Sequence, residues 1–560
     1  MKGRVKVWRL GALATFAVLA VIGIPAAGAL DVPNAMPEKL LEHVSQGVDL
    51  RYWASHVDQA PARLGSALAA VQKENNPSGR HVHGCTNSGN KDVYNCDDLG
   101  LPQNEESIAS CPTNTDFVLG GTNDYRGLVD PEGNFTGWHW STDGGHSIRN
   151  EGLLPPVELI KEPNHTVPSG GDPVDFIDQG CHLFAGSLAY DPVDPFGKPN
   201  GIAVYRSEPA ILNSCPGGSD PSCWPIRRLI VENEPSHFLD KEWLFVGVSG
   251  GVEYVWVVYS DFDLAPSNGE HPFESVLRAV RCTADLVTCT GPIDISTVDQ
   301  DVQFGDVTIA PDGRVYFTWA RIDGEIEGGP EQTFTIKMRV AAPGSVVPGP
   351  ESIVHVEDRA IPFGGFLQAN DFRVATYPKN DVVPFAGHNR TFVIWDACKV
   401  RLLGFVCEQP EIKLKYSDND GATWVGPILL SSGGVNYFPF ISADRNGSQR
   451  LAAGWYTNDK DAAFANQQDT VATSINVATG DSRGLKRVTT SSNETEADPL
   501  LGGFFVGDYF EGVLVSGNRL YVHYNANYRK VPLLGGFGPP FSEAPAVNQQ
   551  DNYLTITALN

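Results

Sequence analysis

The 560-residue sequence predicts an all-β fold, a β-propeller of four-stranded blades preceded by a short helical and loop region. Three observations lead there. Helix periodicity disappears after Glu106, short β-branched and aromatic runs alternate with turn residues beyond it, and those runs recur in sets about 66 residues apart. Composition agrees: 58 Gly and 40 Pro supply turns, while 41% hydrophobic and 10% aromatic residues exclude disorder and collagen. With 41 Lys and Arg against 67 Asp and Glu the formal net charge is -26, and no basic run breaks it, so nucleic acid is excluded as a partner.

Taken in order, residues 1–29 combine Lys2, Arg4, Lys6 and Arg9 with an apolar stretch from Leu10 to Ile24 and the triplet Ala27-Gly28-Ala29. This is the pattern of a secretory signal peptide. An uncleaved anchor is the rival reading, since the same stretch would just span a bilayer. Pro25 and the small residues favour cleavage, which implies a secreted or periplasmic protein with no stable membrane insertion. Export predicts disulfides, and the ten cysteines suggest Cys85–Cys96, Cys215–Cys223, Cys282–Cys289 and Cys398–Cys407, leaving Cys111 for Cys181. Spacing alone does not prove that connectivity.

Residues 30–105 form a separate region. Leu40, Leu41 and Val44, then Leu64, Leu68 and Val71, follow helical spacing, and the stretch from Asn75 to Gln103 is rich in turn residues. From residue 106 to 560, first runs centred on Ile108, Val174, Leu244, Thr308, Val374, Phe440 and Tyr509 are each followed by a more aromatic second run such as VYFTWAR, and by a third such as EIKLKYS. Seven units at this pitch favour seven blades over six. The last unit ends in NYLTITALN without a fourth strand, so the outermost strand is expected from the chain before Glu106, as a clasp.

Two segments after third runs share a pattern: Ser141-Thr142-Asp143-Gly144-Gly145-His146-Ser147-Ile148 and Ser417-Asp418-Asn419-Asp420-Gly421-Ala422-Thr423-Trp424. Both resemble the Asp box, or BNR repeat, of sialidases and related propellers, with Asn419 replacing the acid in the second copy and Ser147-Ile148 replacing Thr-Trp in the first. The role of such a box is a tight turn, so Asp143 and Asp420 are read as turn residues. The box names a fold and not an activity.

The resemblance implies an exo-acting glycoside hydrolase in which three arginines hold a sugar carboxylate, a Tyr is the nucleophile and carboxylates assist it. By face, Arg126, Arg321 and Arg373 are the expected clamp, Tyr509 the nucleophile, and Asp124 and Glu242 the catalytic carboxylates. Their face carries the turns after second strands and the turns into first strands, including Asp172, Asp240-Lys241-Glu242, Asn370-Asp371 and Asp508. The Arg-Ile-Pro motif of active sialidases is missing from the first unit; Arg359-Ala360-Ile361-Pro362 in the fourth is the nearest match. The expected partner is a glycan or glycoprotein, and the alternative is a non-catalytic extracellular propeller that binds a protein. No cofactor is required. A structural calcium ion at Asp191 and Asp194 is the cation the sequence admits, and His81-Val82-His83 is read as a surface loop.

Overall fold

The computed structural model describes residues 44–56, 101–265, 273–299, 301–323, 332–362, 365–367, 370, 372–402, 406–431, 433–461, 466–498, 500–501, 505–515, 518–532 and 546–559. All lie in the compact unit Pro37–Asn560, the other unit being Met1–Met36. The expected signal peptide, most of the expected clasp, His81, His83, Cys85, Cys96 and Asp371 fall outside the described residues.

The chain is nearly all β. Six antiparallel sheets of four strands follow one another, and their first strands are Gln103–Cys111, Val174–Ile177, His237–Ser249, Val302–Ile309, Lys379–Phe385 and Asn436–Ala443. A seventh sheet has three strands among the described residues, Glu511–Val515, Arg519–Ala526 and Asp551–Ala558. Within each of these seven sheets successive strands pair antiparallel with each other. Each first strand packs beside the first strand of the next sheet, and that of the seventh lies against that of the first, where Glu106 and Phe510 form a parallel bridge.

Burial runs outward along each sheet. First and second strands such as Val302–Ile309 and Leu451–Thr457 are buried throughout, whereas the fourth strands Cys289–Asp294 and Ser482–Arg487 are mostly exposed. Trp256, Trp319, Trp395 and Trp455, one per second strand in sheets three to six, are wholly buried and fill the spaces between sheets. Each contributes at most about 4–6 kcal/mol by area.

Side chains also join the sheets through the backbone. Asp306 accepts from the N–H of Asn380 at 2.5 Å, Asp396 from that of Phe438 at 2.9 Å and Asp381 from that of Ala443 at 2.7 Å. Glu511 accepts from Ile108 N–H at 3.2 Å, and the hydroxyl of Ser107 from Asp175 N–H at 2.7 Å. These are the donors that a first strand leaves free on its edge, and burial makes their satisfaction obligatory.

Four of the expected disulfides are present: Cys111–Cys181, Cys215–Cys223, Cys282–Cys289 and Cys398–Cys407. No described helix is long and apolar enough to cross a membrane. Two expectations about elements need correction. The first strand starts at Gln103, three residues before the boundary read at Glu106. In the fifth unit the first strand is Lys379–Phe385 and not the run around Val374, because Arg373–Val374 pairs with Gly365–Leu367 in a small accessory sheet that also holds Val406–Cys407. The strand KNDVVPF carries Pro and charge, which disguised it beside the more apolar RVATY.

Ahead of the sheets, among the described residues, lies the helix α1 (Gln46–Ser55), where Gly47 N–H reaches the Ser45 hydroxyl at 3.3 Å. Leu50 joins Leu101, Tyr125, Phe135, Leu500 and Leu501 in a small apolar cluster.

Candidate functional site

The first strands share a backbone irregularity. Register breaks between Asn104 and Ser107, Asp240 and Trp243, Gln303 and Asp306, and Tyr437 and Phe440 mark bulges. Within them Glu105, Lys241, Phe304 and Phe438 have positive φ, as do Asp172 and Gly507 just before the first strands of the second and seventh sheets. A left-handed residue in a bulge re-aims its side chain, and here the side chains from different sheets meet.

Asp508 is the hub. Arg373 grips it with Nε on Oδ1 at 3.0 Å and Nη2 on Oδ2, and Lys241 Nζ reaches Oδ2 at 3.2 Å. Asp508 N–H donates to Glu105 Oε1 at 3.2 Å, and Glu105 Oε2 accepts from Asn123 at 2.6 Å. Asn123 Oδ1 in turn takes the N–H of Asp172 at 2.8 Å. Ser45, the residue before α1, binds two acids at once: its hydroxyl donates to Asp172 Oδ1 and its N–H to Asp240 Oδ2, the latter at 2.9 Å. Arg373 Nη1 completes the contact by donating to Val44 O at 3.1 Å. Asp240 Oδ1 and both Glu242 carboxylate oxygens are buried without a hydrogen-bond partner among the described residues.

This buried centre holds Glu105, Asp172, Asp240, Glu242 and Asp508 against Lys241 and Arg373. So many acids cannot all stay ionised out of water. Burial pushes Glu242 and Glu105 well up, raises Asp172 and lifts Asp240 to about 7. Burial acts on Asp508 too, but Arg373 and Lys241 outweigh it and hold that carboxyl below its ordinary value. Burial thus favours the protonated form of four acids while two cations favour the charged form of the fifth, the division of labour that acid/base chemistry uses.

Below this layer lie Trp243, Asp306, Lys379 and Tyr509. The Lys379 ammonium sits 4.4 Å from the Tyr377 ring centre and 5.4 Å from that of Tyr509. Its pKa is lowered to about 8 by burial, which Asp306 and Glu511 only partly offset. Further along, a cavity of about 50 Å³ is lined by Asp175, Trp243, Phe245, Arg445 and Glu511. A wider one of about 460 Å³ borders Phe176, Phe245, Asp381, Arg445 and Glu253.

Of the expected site residues, Arg373, Glu242 and Tyr509 lie in or beside the centre. Tyr509 donates its hydroxyl to Pro173 O at 2.8 Å, and burial followed by the nearby acids pushes its pKa well up. Arg126 instead pairs with Asp124 through Nε and Nη2 and lies 3.8 Å from Glu151. Arg321 pairs with Asp323 and Asp299 at a half-exposed position. The three arginines share no partner in these contacts. Asp191 accepts from the N–H groups of Val193 and Asp194 and meets Lys198 Nζ at 2.6 Å, so an ammonium already stands where calcium was expected. Asp194 accepts from Gly197 N–H. The group among the described residues whose ligand atoms lie close enough for a metal is Asp178, His182 and Glu253.

The two Asp-box-like segments close the same turn. Gly145 N–H and Gly421 N–H each reach the Ser141 and Ser417 hydroxyls at 2.9 Å, and Asp143 and Asn419 each accept from the N–H four residues on, at 2.9 Å. Asn419 therefore does the work of the acid, and Asp420, with φ of 55°, supplies the left-handed bend beside it.

Reading the sequence by runs overlooked Glu105 and Ser45. Glu105 lies 67 residues before Asp172, at the repeat pitch, which is the one signal that could have found it; Ser45 belongs to no repeat.

No family model and no curated protein matches the chain. Among solved structures it is similar to a protein of unknown function from Dyadobacter fermentans, with 10% identity and a TM-score of 0.43 over 84% of this chain and 98% of that one. It is also similar to the GH93 α-L-arabinofuranosidase of Fusarium graminearum, with 12% identity and a TM-score of 0.38 over 70% and 99% of the two chains. The α-L-arabinanase of Penicillium chrysogenum gives 11% identity and a TM-score of 0.34 over 65% and 93%.

Proposed function

We propose that the seven sheets are the blades of a closed propeller and that this exported protein hydrolyses a glycoside at the buried acid centre, with Asp172 and Asp240 as the working carboxylates. The observation that carries the reading is that both acids bind the same residue, Ser45, beside an acid fixed as an anion. Glycoside hydrolysis needs two carboxyl groups flanking one bond, one protonated to release the leaving oxygen and one charged to activate water or attack carbon. Asp240, with a pKa near 7, suits the proton donor.

Two features favour a neutral sugar over a sialoside. Arg373 is already paired with Asp508, so its guanidinium is committed to a carboxylate of the chain and not to that of a sugar. The Tyr509 hydroxyl is held by a carbonyl and made less acidic, the reverse of an activated nucleophile. The second reading, a binding protein without catalysis, is favoured by the complete burial of the centre beneath Val44 and Ser45.

The test compares wild type with Asp240→Asn on chromogenic α-L-arabinofuranosides, β-xylosides and a sialoside. A neutral glycoside should be cleaved, the variant should lose about 10²–10⁴-fold in kcat/KM, and the rate should fall above about pH 7 as Asp240 loses its proton. Cleavage of the sialoside alone would overturn the assignment.

A further inference from the structure

The dipeptide Val44–Ser45 is bound more like a ligand than like the start of a helix. Ser45 caps α1 by accepting from Gly47 N–H at 3.3 Å, and a cap needs only the hydroxyl oxygen, yet the hydroxyl proton is also given to Asp172, outside the helix. Two further polar groups of the dipeptide meet charged side chains from different parts of the chain: Ser45 N–H meets Asp240 of the third sheet, and Val44 O meets Arg373 of the accessory sheet, while Ser45 O accepts from Val48 N–H within the helix. Both residues are wholly buried. They nevertheless leave Asp240 Oδ1 and the Glu242 carboxylate without a hydrogen-bond partner among the described residues, so the centre can make more hydrogen bonds than its present occupant offers.

The helix behind the dipeptide is fastened elsewhere. Arg51 donates to Ser169 O at 3.3 Å and to Gly133 O, and its guanidinium lies 5.2 Å from the Phe135 ring centre and 4.7 Å from that of Tyr190. None of these partners belongs to the acid centre. Ten residues are too few to hold a helix in water without such contacts. Loosening Arg51 would therefore unlatch the dipeptide while leaving the charged groups intact.

We propose that Val44–Ser45, carried on α1, is an internal plug of the acid centre, and that release of α1 opens Asp172 and Asp240 to a ligand bearing adjacent hydroxyl groups. The occlusion stands on geometry alone; the class of ligand rests on the glycosidase reading above.

Two full-length forms test it: Arg51→Glu, and a chain with a specific protease site in place of residues 60–66, nicked and kept with both pieces. Carboxyl groups are coupled to glycine ethyl ester by a carbodiimide and located by peptide mass spectrometry, and folding is checked by the cooperative thermal transition. In wild type Asp172 and Asp240 should resist coupling while exposed acids react; in either altered form both should couple faster, by about tenfold or more. Arabino- and xylo-oligosaccharides should then bind in calorimetry at least about tenfold more tightly to the opened forms than to wild type, in which α1 opens only part of the time. The plug is refuted if both forms stay folded with Asp172 and Asp240 as protected as before, or if both lose the cooperative transition, which would make α1 an integral part of the body. Faster coupling without sugar binding upholds the plug and overturns the ligand class.

Discussion

Asp508 carries more of the centre than any other residue, because two buried cations depend on it. Replacing it by Asn removes the charge that Arg373 and Lys241 share and should cost about 3–5 kcal/mol, read from the urea midpoint. Asp143, exposed in its turn, supports only local N–H groups, so Asp143→Ala should cost about 1 kcal/mol and leave ligand affinity per folded molecule unchanged. The difference was partly legible in sequence. Asp508, Lys241 and Glu242 lie where the chain enters first strands, a place that carries charge in several repeats, and Asp143 lies in a Ser-x-Asp-x-Gly pattern with an obvious local use. Partnership was not legible, since whether Arg373 meets a substrate or Asp508 depends on residues 135 positions apart.

At the level of elements, acids that look alike along the chain divide into two kinds. Asp306, Asp381 and Asp396 join neighbouring sheets by accepting backbone N–H groups, whereas Asp172, Asp240 and Asp508 meet side chains of the centre. Asp396→Ala would strand the buried N–H of Phe438 and weaken that of Tyr377, costing about 1–3 kcal/mol in chemical unfolding. Cys111–Cys181 is a covalent clamp of the same sort, joining the first sheet to the hairpin of the second across a separation of 70 residues. Its loss in a Cys111→Ser, Cys181→Ser variant should destabilise by about 4 kcal/mol on loop entropy. The all-β class and the order of strands within a sheet followed from the repeated runs because hairpins are local. The fifth first strand did not, since its pairing with His388–Cys398 outweighs its unpromising composition.

For the molecule as a whole, the buried acids set an unusual dependence on pH. Asp240, Asp306 and Asp396 have pKa values pushed up to about 7 and Asp498 to about 6, burial being the first cause in each. Such groups bind more protons folded than unfolded, so their contribution is complete below the unfolded value and is lost as pH rises through the folded one. Glu357 is held at about 2, its bonds to His355, Lys413 and Trp395 outweighing burial, and Asp508 is likewise depressed. Their contribution runs the other way, present above the unfolded value and lost in acid. The thermal midpoint should therefore be higher near pH 5 than near pH 8 and fall again below about pH 4. A midpoint that rises steadily from pH 5 to pH 8 in scanning calorimetry would contradict this.

The left-handed position at the start of the first strands has an evolutionary consequence. Glu105, Asp172, Lys241, Phe304, Phe438 and Gly507 occupy it in six of the seven sheets. The strain there is a property of the backbone, about 1–2 kcal/mol for any side chain and absent for glycine. The strands do not depend on which residue pays it, as the range from Gly to Phe to Lys shows. Point mutation can thus rewrite the charge of the centre one repeat at a time while the architecture is inherited unchanged. Ligand preference becomes a variable that selection can tune separately from folding, and a descendant of this chain could recognise a different ligand without a single new strand pairing.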